Sequence, residues 1–109
     1  MAGRKAIPED VRTQVEAAVA RFNQSLTGRG TSYVARFKGS FVYLDRGPPG
    51  RKDPTCRLKY AGPGGKWEFA IYKHTSNAYD ARDWFFPGAQ HLDGTIEGAL
   101  KAATEAYPP

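Results

Sequence analysis

The dipeptide Gly39-Ser40, set between "TSYVARFK" and "FVYLDR", constrains this chain more than any other feature. Two runs rich in β-branched and aromatic residues, separated by a Gly-first pair, are the signature of a two-residue β-hairpin. With those two residues as the turn, Lys38 faces Phe41, Phe37 faces Val42, Arg36 faces Tyr43 and Ala35 faces Leu44. Side chains alternate along a strand, so this register sorts the hairpin into two faces, and a slip of one residue exchanges them. One face collects Tyr33, Ala35, Phe37, Val42 and Leu44 and reads as the core side. The other collects Val34, Arg36, Lys38, Phe41, Tyr43 and Asp45.

The same pattern returns downstream. "CRLKY" (56–60) and "KWEFAIYK" (66–73) are joined by "AGPGG". Cys56, Leu58 and Tyr60 alternate against Arg57 and Lys59. Trp67, Phe69 and Ile71 alternate against Lys66, Glu68, Ala70 and Tyr72. Between the two hairpins, "GPPGRKDP" (47–54) reads as a loop, too rich in Pro and Gly for a strand.

Helical periodicity marks both ends. Val11, Val15, Ala18, Val19, Phe22 and Leu26 make one apolar stripe at the 3.6-residue repeat. Its start is expected near Pro8, with Glu9 and Asp10 in the first turn, and Gly28 and Gly30 end it. A last helix is expected behind a cap at Asp93, with Ile96, Ala99, Leu100 and Ala103 facing inward and Pro108-Pro109 closing it. Residues 74–90 read two ways: a cap at Ser76 or Asn77 followed by a short helix, or an irregular loop. Trp84, Phe85 and Phe86 are expected to bury themselves against the sheet or a helix.

Assembled, these elements predict a two-layer α+β domain over residues 8–109, preceded by a flexible lead-in at 1–7. The expected order is α-β-β-β-β-α, a four-stranded antiparallel sheet of two hairpins with both helices packed on one face. This layout resembles that of double-stranded-RNA-binding domains, which run α-β-β-β-α. Those domains bind through a lysine-rich start of the last helix, whereas the corresponding stretch here, "HLDGTIEGALK", is acidic, so no activity is carried over from them.

Helices on one side leave the other face of the sheet open. It would carry Arg36, Lys38, Phe41, Tyr43, Arg57, Lys59, Lys66 and Tyr72. Charge points the same way: residues 29–73 hold ten bases and three acids, a net +7 in a chain of net +5. Clustered cations favour polyanions through counterion release, and single strands add stacking of bases on aromatic side chains. The expected function is therefore a non-enzymatic basic module that binds single-stranded nucleic acid or another polyanion, with Arg51-Lys52 and Arg4-Lys5 extending the footprint. Against this stands a purely structural use of the same residues, with Lys, Arg and Tyr packing across strands on a wet face.

The alternative is a protein-interaction module or homodimer that uses an edge strand or the Trp84–Phe86 segment. A small acid/base or metal enzyme around His74, Asp80 and His91 is the weakest reading, since no H-E-x-x-H or H-x-H spacing occurs. No catalytic residue, metal or cofactor is assigned. The single Cys56 allows no internal disulfide or Cys-based zinc site. No run approaches the roughly 18 apolar residues of a membrane span, and "MAGRKAIPED" has no apolar signal region. The expected setting is the cytoplasm, without membrane contact.

Overall fold

The computed structural model describes residues 6–62, 67–81 and 86–109. Helix α1 spans Glu9–Asn23, entered from an extended Pro8, and runs on into a 3₁₀ turn at Gln24–Leu26. Pro suits that entry because its fixed φ is already helical and its missing N–H has no intrahelical partner to lose. Val15, Ala18, Val19 and Leu26 are buried, and Val11 and Phe22 pack against them.

Five strands follow: β1 (Ser32–Lys38), β2 (Phe41–Gly47), β3 (Asp53–Lys59), β4 (Glu68–Lys73) and β5 (Ala78–Asp80). They form one antiparallel sheet in chain order, β1-β2-β3-β4-β5. The first hairpin has the register read from Gly39-Ser40, with Lys38 opposite Phe41 and Ala35 opposite Leu44. Gly39 has φ 60°, and the left-handed region falls on it but not on Ser40. That is the pattern of a type II′ turn, whose twist matches the flanking strands. The hairpin tip is tied down on both sides: the Ile7 N–H donates to the Gly39 carbonyl, and the Tyr60 N–H donates to the Ser40 carbonyl. Ile7, placed in the lead-in by sequence, is buried.

Three further features differ from expectation. The sheet has five strands rather than four, because residues 74–77 make a tight turn and the chain pairs again at Ala78–Asp80. Asn77 takes a left-handed φ of 53°, which asparagine tolerates better than most residues, and its side-chain carbonyl accepts from the Tyr72 hydroxyl at 2.7 Å. Second, the Pro-rich loop is shorter than 47–54: Gly47 ends β2, and Asp53 and Pro54 begin β3. Pairing steps from Leu44–Cys56 to Asp45–Pro54, so Thr55 is the extra residue of a bulge. Its hydroxyl donates to the Leu44 carbonyl at 2.6 Å. Beside a bulge, Pro54 has no ladder bond to spoil.

Third, helix α2 (Ile96–Ala106) is capped by Thr95 and not by Asp93. The Gly98 N–H donates to Thr95 Oγ1 at 3.0 Å, while Asp93 Oδ1 accepts from the Thr95 N–H and hydroxyl. Asp93 thus orients the cap from outside the helix. Ile96, Ala99, Leu100 and Ala103 face inward as the period requires.

Both helices lie against the same side of the sheet. Val15, Val19, Leu100 and Ala103 meet Tyr33, Val42, Leu44, Cys56, Leu58 and Ile71 in one cluster. Ala35 and Phe37, assigned to the core side, are only partly buried because β1 is an edge strand. Phe86 stacks on Phe69 at 5.7 Å and so joins the helix side; Trp84 and Phe85 lie outside the described residues. Among the described residues no helix is long and apolar enough to cross a membrane.

Candidate functional site

Alternation and register place Arg36 and Lys38 of β1, Phe41, Tyr43 and Asp45 of β2, and Arg57 and Lys59 of β3 on the side away from the helices. Tyr72 of β4 and its partner Tyr79 of β5 complete this outer face. Seven of the eight site residues read from sequence therefore share one surface. The eighth, Lys66, lies outside the described residues.

The aromatic rings form a continuous row. Phe41 lies 6.2 Å from Tyr43, Tyr43 lies 5.5 Å from Tyr79, and Tyr79 lies 5.1 Å from Tyr72, the last two pairs edge-to-face. Tyr79 is the residue sequence reasoning missed as part of this face, since a three-residue strand shows no readable alternation. To reach Tyr43 from β5 its ring must cross β4 and β3. Ala70 is the small residue on the outer side of β4 and leaves room for that crossing; it is only 3% exposed although it belongs to the outer face. An alanine among bulky outward neighbours was the one available signal.

Two guanidinium groups lie on this row. Arg36 sits 4.5 Å from the Tyr43 ring centre. Arg57 sits 4.6 Å from Phe41 and 5.2 Å from Tyr79, bridging the first and third rings of the row. Such cation–π contacts contribute about 0.5–1 kcal/mol each at exposed positions and leave the charge above the ring plane. Lys38 and Lys59 stand exposed at the hairpin end of the same face.

Asp45 is the unexpected member. It is only 8% exposed, its Oδ2 accepts from Arg36 Nε at 3.0 Å, and its buried Oδ1 has no hydrogen-bond partner among the described residues. The hydrogen bond to this carboxylate raises the Arg36 pKa above the usual arginine value. The Tyr79 hydroxyl is also pushed up, first by burial and then by the negative charge of Asp45. A buried acceptor at the base of the face therefore aligns Arg36 over Tyr43.

The residues considered for acid/base or metal chemistry have separate partners. His74 lies edge-on to Tyr72 and Tyr107, Asp80 faces the Lys73 ammonium at 3.6 Å, and His91 Nε2 lies 2.6 Å from Glu105 Oε1. Among the described residues no three His, Cys, Asp or Glu side chains come together as a metal-holding group. Cys56, fully buried in β3, has its thiol pKa pushed up to about 12 by burial. It is placed to pack and not to react.

Comparison of the chain with protein-family models, with curated proteins and with solved structures gives no match.

Proposed function

We propose that this protein is a non-enzymatic module that binds single-stranded nucleic acid on the outer face of its sheet. One observation carries the reading: the row Phe41–Tyr43–Tyr79–Tyr72 is overlaid by the guanidinium groups of Arg36 and Arg57. Unpaired bases stack on aromatic rings and on guanidinium planes alike, and such contacts tolerate any base. Lys38 and Lys59, with the two arginines, supply cations for the phosphates. The proposed setting is the cytoplasm, since the lone buried thiol needs no oxidising compartment.

The test is fluorescence anisotropy with labelled single-stranded RNA, single-stranded DNA and duplex DNA at about 50 and 200 mM salt, a range over which phosphate contacts weaken steeply. Single strands are expected to bind more tightly than the duplex at both concentrations. Tyr79→Ala should weaken single-strand binding about tenfold or more, the loss of one stacked base. Equal affinity for single strands and duplex, unchanged by Tyr79→Ala, would remove the aromatic row from the reading and leave nonspecific charge.

A further inference from the structure

In an antiparallel pair the residues that bond across the ladder alternate with residues whose N–H and C=O point away. Lys38 and Phe41 close the two-residue hairpin, so Lys38, Arg36, Val34 and Ser32 bond toward β2. Tyr33, Ala35 and Phe37 then point their backbone groups off the edge of the sheet. Tyr33 confirms the phase, because its N–H donates to Asn23 Oδ1 at 2.8 Å and its carbonyl accepts from Asn23 Nδ2 at 3.0 Å. One side chain of α1 therefore closes the edge at Tyr33. Among the described residues the outward N–H and C=O of Ala35 and Phe37 have no such partner.

We infer that this stretch of β1 is a docking edge for an extended acidic segment of another protein, which adds to the sheet as a sixth strand. Strand addition takes its affinity from main-chain hydrogen bonds and its specificity from alternate side chains. The side chains lining the edge are basic: Arg36 and Lys38 on the outer side, and Arg12 of α1, whose guanidinium lies 5.3 Å from the Phe37 ring centre, on the inner side. Arg36 shares its charge with Asp45, while Lys38 and Arg12 have no carboxylate partner among the described residues. An incoming strand that places acids opposite Arg36 and Lys38 and apolar side chains over Ala35 and Phe37 matches both. A second copy of this chain does not. The register that uses both free residues pairs Arg36 with its own copy, and like charges directly opposite repel.

The probe is a capped seven-residue peptide of alternating Glu and Val, titrated into isotopically labelled protein and followed by amide NMR shifts. Shifts confined to Ala35–Lys38 and to the facing part of α1 are expected, with no binding of the matching Lys/Val peptide. N-methylating alternate peptide bonds of the Glu/Val probe leaves its charge intact and should weaken binding about tenfold or more, the loss of two or so hydrogen bonds. Ala35→Pro should do the same from the protein side. Its N–H lies outside the ladder, where proline is tolerated, and single-strand nucleic-acid binding on the outer face should be unaffected. Equal binding of the N-methylated peptide overturns the inference whether or not the proline variant folds. So do shifts centred on Tyr43 and Tyr79, which would make the peptide a mimic of a polyanion. A concentration-dependent dimer in sedimentation would assign the edge to a second copy instead.

Discussion

Cys56 lies in the middle of β3 with no solvent exposure, and its thiol stays protonated to about pH 12 in the folded protein. In the unfolded chain the same thiol ionises near 9.0. Above that point the unfolded state binds fewer protons than the native state, so stability falls as pH rises. The contribution is fully present below about pH 9 and is lost between about 9 and 12. Denaturant melts at pH 8, 9 and 10 should show declining stability, and Cys56→Ala should flatten that decline. Tyr33, whose hydroxyl is pushed up by burial, adds a similar loss once unfolded tyrosine begins to ionise, so the thiol dominates only the lower part of the window. An unchanged slope in the alanine variant would show that Cys56 is solvated in solution. Asp45 shows how residue-scale chemistry escapes a linear reading. Alternation placed it on the wet side, and its burial goes with the Arg36 side chain of the neighbouring β1 and the Tyr79 side chain reaching over from β5.

Among the elements, the β1–β2 hairpin is the most fully specified by local chemistry. Gly39 alone takes positive φ, so a side chain there costs about 1–2 kcal/mol. Gly39→Ala should lower the unfolding free energy by that amount in urea melts, with the fold retained. A neutral result would mean that the turn relaxes to another type despite the bonds that Ile7 and Tyr60 make to it. Elements with a weaker local signal were harder to read. Strand β5 is three residues long, too short for alternation to register, and it exists because β4 offers it an edge. Thr95 displaced Asp93 as the cap of α2 because both are good capping residues two positions apart. Where the helix begins depends on Gly98, which packs closely against the Asp93 side chain and the His91 carbonyl.

For the whole molecule, the chain-order sheet is what concentrates charge. Strands β1 to β3 carry Arg36, Lys38, Arg57 and Lys59, and because they are neighbours their bases share one surface. If these four make the phosphate contacts, the logarithm of single-strand affinity should fall with the logarithm of salt with a slope of about −3. Replacing Lys38 and Arg57 together by alanine should halve that slope and weaken all sequences alike. An unchanged slope would place the contacts elsewhere on the chain. The sequence by itself determined the α+β class, the hairpin register and the inward stripes of both helices, because each depends on residues close together in the chain and on fixed repeats of 3.6 and 2. Tertiary structure alone decided the fifth strand, the passage of Tyr79 over Ala70 to Tyr43, the burial of Asp45 and the open stretch of the β1 edge. Each of these depends on which strand lies beside which, and on the space a neighbour leaves, and neither quantity is carried by any short run of residues.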